Sequence, residues 1–287
     1  MTTDWYTYAL AAFFLMGTQN FLYKVSAERG CHTGWITFFF MATVACLSSI
    51  MWLIQREPIS NFGLLLFLSF LNSLSFLVAT VTHIESLKYL PATTVYSVTR
   101  LNLVIVTVFS VLFLKDQLSL RQIAGILCAI GAIPILTQGL DKGKTAISQG
   151  RQGFIYLAIC LFASALASIS SKYAAMYVSK IAFLTLVYTM GTLASAGLGN
   201  RFRTTSVKSN HRGTFGLGFA IGILNFAGYL AFLKALSSGP LSLVASIASM
   251  HFVVAIILSI LIYRERLTLP RALGFVLTIL SIALIGF

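Results

Sequence analysis

Apolar positions along the chain fall into ten long runs separated by short polar gaps. The runs cover residues 5–27, 33–54, 62–87, 91–114, 121–138, 152–176, 180–199, 213–236, 240–263 and 270–287. Each is 18 to 26 residues long. An α-helix needs about 20 residues to cross the hydrocarbon core of a bilayer. None of the runs alternates strictly, as a strand of a membrane barrel would. Backbone groups in lipid must bond within their own segment, so the pattern predicts ten membrane-spanning helices. Pro91 and Pro240 stand at the starts of the fourth and ninth spans, where a missing N–H costs little. Pro134 is expected to kink or loosen the fifth. No gap is large enough to be a domain. The two longest are 139–151 and 200–212, and the first reads as a linker at the midpoint of the chain.

Composition removes the alternatives. The chain of 287 residues is 58% hydrophobic and 9% charged, with a mean hydropathy of +0.90. A soluble domain is about 25% charged, so a soluble enzyme and a disordered chain are both excluded. The net charge of +13 does not point to nucleic acid, because the basic residues sit mostly in the gaps between apolar runs. There they act as topology signals and headgroup contacts. The four cysteines form no paired spacing, so no disulfide framework or zinc site is indicated. No cleavable signal peptide is expected, because the start lacks a basic segment and the first run is full span length.

The two halves of the chain are related. An offset of 149 residues places Pro91 on Pro240, Val95 on Val244, Ser97 on Ser246, Ser110 on Ser259 and Gly125 on Gly274. The same offset places Asp116 on Glu265, each just past a span end, and an offset of 148 places Lys24 on Lys172. Matched prolines at two helix starts and matched acids at two helix ends indicate duplication. The expected organisation is a first five-helix repeat over 1–140, a linker over 141–151 and a second repeat over 152–287. Five spans is an odd number, so the second repeat enters the membrane inverted. Inverted repeats let a central site open to either side at comparable energy.

With Lys24 and Lys172, Pro91 and Pro240, and the stretches FLKDQLSLRQIAGILCAIGA (113–132) and IYRERLTLPRALGFVLTILS (262–281), the chain resembles the ten-helix drug/metabolite transporter superfamily, in its EamA branch. The resemblance covers essentially the whole chain in two copies. Asp116 departs from the family's more usual Glu. The resemblance implies an all-α integral membrane protein, with two inverted five-helix repeats around a central cavity walled by spans three, four, eight and nine. It implies transport of small metabolites, without naming which, and both termini on the cytoplasmic side of the cell (inner) membrane. The basic residues oppose that orientation. With the termini inside, six Lys and Arg would face the cytoplasm and thirteen the outside, against the positive-inside rule.

Arg100 is the sharpest chemical signal, near the middle of the fourth span. A basic residue there costs about 2.5–3.5 kcal/mol on insertion scales, so it should face protein or a water-filled cavity. Thr93, Tyr96, Ser97 and Thr107 share its helical face. Its guanidinium suits a carboxylate or a phosphate. The alternative is an Arg that bonds backbone carbonyls and holds helices together. Under the repeat, Ser249 takes the place of Arg100, and Ser242, Ser246 and Ser249 make a small polar face on span nine. This face either lines the cavity or packs helices closely. Phe76, Thr80 and His83 on span three, with Asn72, and Asn225, Tyr229 and Phe232 on span eight read as aromatic and polar cavity walls. Lys24 and Lys172 lie near span ends and read as gating groups or secondary anion contacts, with snorkelling to water as the plainer role. His251 lies at the centre of span nine on the face away from the serines. It and His83 are candidates for proton coupling.

None of the seven acids lies at the centre of a span. A proton-coupled exporter of hydrophobic cations usually needs such a carboxylate. The expected function is therefore a secondary transporter, read as an exporter, of small metabolites bearing a carboxylate, with amino acids foremost. Exchange of phosphorylated sugars or nucleotide sugars is the alternative within transport, and a non-transporting receptor or scaffold is the alternative outside it. No catalytic group, metal or cofactor is expected. The partners are a small-molecule substrate, protons in the coupled case, and the lipid bilayer. A monomer is sufficient for a ten-helix bundle.

Overall fold

The computed structural model describes residues 4–29, 31, 33–56, 61–89, 99, 101–137, 150–198, 211–263 and 269–286. They form α1 (Asp4–Glu28), α2 (Thr33–Gln55), α3 (Phe62–Tyr89), α4 (Asn102–Phe113), α5 (Leu120–Thr137), α6 (Gly150–Tyr177), α7 (Lys180–Leu198), α8 (His211–Ser238), α9 (Leu241–Ser249), α10 (Phe252–Tyr263) and α11 (Leu269–Gly286). Helix is the regular structure throughout the described residues. The expected spans agree closely with these bounds, with two exceptions. The ninth span is two helices, α9 and α10. Of the fourth span, the described part is Thr99 and residues 101–114. The helix continues through Pro134, so that residue does not end α5. Pro240 stands at the N-cap of α9 in extended geometry, as expected of a helix start.

The outside of the bundle is apolar. Leu53, Ile54, Leu112, Phe113, Leu261 and Ile279 are all exposed. In water such a surface would aggregate, whereas in a bilayer it is solvated by acyl chains. Helices 35–55, 62–83, 152–177 and 213–238 are by themselves long and apolar enough to cross a membrane. Hydrophobicity therefore places the helices in the membrane but does little to pair them. Small residues and close approach do that.

The principal packing runs between repeats. α1 lies on α8, and α3 lies on α6. These are the same contact seen from either half. The same equivalence relates α2 on α8 to α3 on α7, and α1 on α10 to α4 on α6. α2 meets its own counterpart α7, and α5 meets its counterpart α11. The packing thus carries the two-fold relation that the offset of 149 residues carries in the sequence. Gly218 and Gly222 form a GxxxG pair on α8 at one of these joints. A Cβ on Gly222 would sit 2.5 Å from Cβ of Thr43, and one on Gly218 would sit 2.7 Å from Cβ of Phe39. Only hydrogen fits at either position, so α2 and α8 touch backbone to backbone.

The break in the ninth span has a matching feature in the fourth. The Val253 N–H donates to Met250 O at 2.9 Å, and the Val104 N–H donates to Leu101 O at 2.9 Å. Both are three-residue bonds, tighter than those of an α-helix. Leu101 and Met250 occupy equivalent repeat positions. Both have ψ near zero, at −7° and 2°. Around Met250 the tightening is longer, because Met250 N bonds Ile247 O at 3.2 Å and His251 N bonds Ala248 O at 3.1 Å. His251 Nδ1 lies 2.6 Å from Ala248 O, so the ring supplies a polar partner to the disturbed turn. α1 presses on the break. A Cβ on Gly17 would be 2.5 Å from His251 O.

Candidate functional site

The packing of α1 on α8 and α3 on α6 brings neutral polar side chains together in the middle of the bundle. Asn225 Nδ2 donates to Gln19 Oε1 at 3.0 Å, and Gln19 Nε2 donates to the Tyr23 hydroxyl at 3.2 Å. The Tyr188 hydroxyl donates to Asn225 Oδ1. The Tyr188 ring meets Tyr229 edge-on at 6.0 Å, and Tyr229 stacks on Phe232 at 5.9 Å. The Tyr229 hydroxyl shares a 2.8 Å bond with Ser171 Oγ. Asn72 Nδ2 donates to Ser171 Oγ at 3.0 Å, to Ser170 Oγ at 2.9 Å and to Ala167 O at 2.8 Å. Five helices, α1, α3, α6, α7 and α8, contribute to this girdle. Phe40 of α2 joins its aromatic part, edge-on to Tyr23 at 6.1 Å and to Tyr188 at 6.2 Å.

Burial in lipid makes each of these polar groups costly unless it is paired. The pairing here is between helices, so the girdle fixes helix rotation as well as side-chain direction. Its hydroxyls and amides bond to one another and to backbone carbonyls, and it carries no net charge. Among the described residues no group of three His, Cys, Asp or Glu could hold a metal ion.

The expected cavity walls are placed in part. Leu66, Phe70 and Leu74 are exposed and mark the lipid side of α3. Phe76 and His83 project roughly 120–160° away from it. Phe76 is nonetheless 46% exposed. Asn225, Tyr229 and Phe232 share one face of α8, and Asn225 and Phe232 are buried. Thr80 lies on α3 between Phe76 and His83 and Lys24 lies on α1, while their side chains lie outside the described residues, as do Tyr96, Ser97 and Arg100 entirely.

Two expectations change. Lys172 does not snorkel to water. It is 7% exposed, and its Nζ donates to Leu236 O at 2.7 Å and to Gly239 O at 2.8 Å. It turns inward because the last carbonyls of α8 need donors and a cation suits a helix C-terminus. Ser246 is completely buried, and its hydroxyl donates to Ser242 O at 2.7 Å. All of 241–248 is buried, because α9 is wrapped by α1, α4, α5 and α8. Ser246 therefore packs helices. Ser249 is half-buried at the break and donates to Ser246 O at 2.8 Å. His251 is half-buried and turned onto its own helix.

Sequence reasoning places Asn72, Asn225 and Tyr229 on their spans without joining them, and it passes over Tyr188. A tyrosine at the middle of an apolar span was the available signal, since its hydroxyl needs a partner there.

The model of the EamA-like transporter family matches the chain twice, over residues 3–138 and 151–287. The chain belongs to the EamA-like transporter family. It is a multi-pass membrane protein with two repeats, and members of its family are transporters of small molecules. A solved crystal structure superimposes on this EamA-like transporter with a TM-score of 0.77 at 16% identity, covering 99% of this chain and 96% of the other. At that identity the likeness shows the fold. No curated protein matches the chain significantly in sequence.

Proposed function

We propose that this EamA-like transporter exports small metabolites bearing a carboxylate, foremost amino acids, by alternating access. The observation that carries the reading is the neutral girdle of Gln19, Tyr23, Tyr188, Asn225, Tyr229 and Asn72, which crosses both repeats. Its hydroxyls and amides suit a small polar or zwitterionic solute. It offers no carboxylate to hold a lipophilic cation. The charge for an anionic group is supplied by Arg100 of the fourth span. A phosphate ester needs more than one cation, and Lys172 is already engaged by two carbonyls. That weighs for a carboxylate over a phosphorylated sugar.

The test is ligand-induced thermal stabilisation of the purified protein. The panel holds amino acids, organic acids, sugar phosphates, nucleotide sugars and lipophilic cations. A ligand at a hundred times its Kd stabilises the folded state by about 2.7 kcal/mol. Amino acids are expected to raise the melting temperature of the native protein and not that of Arg100→Ala. Stabilisation by cations alone, or an equal response of the variant, would overturn the proposal. Counterflow in vesicles with the responding solute then gives the direction of transport.

A further inference from the structure

The end of the bundle that carries the start of α1 holds a second polar cluster, separate from the girdle. Asp116 lies in the segment joining α4 to α5, in the first repeat. Its carboxylate accepts from Ser110 Oγ, and Ser242 Oγ donates to the same oxygen at 3.4 Å. The Ser242 N–H, in the first turn of α9, donates to Ser110 Oγ at 3.3 Å. Ser242 belongs to the second repeat. Both serines are fully buried. A carboxylate at the start of a helix is well placed electrostatically, because the first N–H groups have no partner within the helix.

The same turn is held from its other side. Lys172 of α6 donates to Leu236 O and Gly239 O, at the end of α8 and in the turn that leads into α9. Residues 236–242 thus carry a cation on their outgoing carbonyls and a carboxylate on their incoming N–H side. The lysine belongs to the same repeat as the turn, whereas the aspartate and Ser110 belong to the other. Trp5 of α1 closes over Gly239, where a Cβ would be 2.8 Å from the indole.

Bonds within one repeat survive when the repeats move apart, and bonds between repeats do not. We propose that Asp116, with Ser110 and Ser242, is the latch that holds this end of the transport pathway closed, and that Lys172 is the positioning residue that presents the α8–α9 turn to it. The inference rests on the transport activity of the family and goes beyond the choice of substrate. The carboxylate and the lysine then act on which end is open, not on which solute is held.

Hydrogen–deuterium exchange of the full chain in lipid nanodiscs, with no solute added, tests this. Amide exchange reports local opening. Asp116→Asn keeps the shape and removes the charge. It is expected to speed exchange over 236–246 by about tenfold and to slow it by about threefold over 20–28 and 83–89 at the opposite end. A merely structural cap would change 236–246 and leave the opposite end alone, which would overturn the proposal. Ser110→Cys with Ser242→Cys, in a background where Cys31, Cys46, Cys128 and Cys160 are Ala, gives the converse. Its disulfide should slow 236–246 and speed 83–89, and a reductant should reverse both. This pair decides alone if Asp116→Asn does not fold. Failure of the disulfide to form under oxidant, or exchange that is the same with and without it, would also overturn the latch. Because no solute is present, that failure would leave the carboxylate proposal standing.

Discussion

At the residue scale the girdle makes an ordered prediction. Removing the Tyr188 hydroxyl leaves buried Asn225 Oδ1 without the donor it has in the native protein. Removing the Tyr229 hydroxyl leaves Ser171 still accepting from Asn72. Tyr188→Phe should therefore cost about 1–2 kcal/mol and Tyr229→Phe about 0.5 kcal/mol, within the range for hydrogen bonds between membrane helices. Thermal unfolding in one detergent checks the order, and a larger loss for Tyr229→Phe would break the account of which bond is shared. The two lysine positions show what is legible at this scale. The repeat register paired Lys24 with Lys172, and that pairing is a sequence fact. The direction of Lys172 was not readable, since a lysine near a span end reaches water or a helix C-terminus equally well. The nearby carbonyls of Leu236 and Gly239 decide it, and they come from another helix. Lys172→Met should lose about 1–3 kcal/mol because those carbonyls are left buried. Lys172→Arg, which keeps the charge and the donors, should recover part of the loss in the same melt.

At the element scale, length and hydropathy were enough to place the helices, because a bilayer leaves few options for a long apolar run. They were not enough to find the break at Met250 and His251. Sharp kinks usually come with proline or paired glycine and serine. Here the proline of the span is at its start, and the turn is tightened by contacts with α1 at Gly17 and by the His251 ring. These are tertiary causes, absent from a one-dimensional pattern. α5 runs on through Pro134, so a proline inside a span does not end its helix here. The close approach of α2 and α8 rests on the GxxxG pair of Gly218 and Gly222, and its consequence is quantitative. Gly222→Val would drive side-chain atoms into Thr43 and the Phe40 carbonyl, both within 3.0 Å of the new Cβ. Overpacking of this kind costs about 1–3 kcal/mol. Gly216 has nothing within 4 Å of a new Cβ, so Gly216→Val should melt at or slightly above the native protein, because valine is the better helix former.

At the scale of the whole molecule, the symmetric packing constrains topology. Helices α9 and α10 together make one crossing, with the break near its middle. With five crossings in each repeat, the linker is expected on the opposite face from both chain ends. The alternative is that α9 dips in and returns, which would move the C-terminus to the linker's side. The contacts speak against it. α10 lies on α1, and α4, at the equivalent place in the first repeat, lies on α6. Single reporter fusions at the N-terminus, near residue 145 and at Phe287 read this directly. The expected result is one sidedness for the two ends and the other for the linker. Matching signals from the linker and the C-terminus would mean an even number of crossings in the second half. The same fusions resolve the conflict between the family's orientation, with both ends inside, and the excess of Lys and Arg that such an orientation places outside. If the ends read as outside, the latch at Asp116 closes the outer mouth of the pathway. If they read as inside, it closes the cytoplasmic one. Under the proposed latch, a solute would enter from the face opposite to Asp116 while the latch is closed.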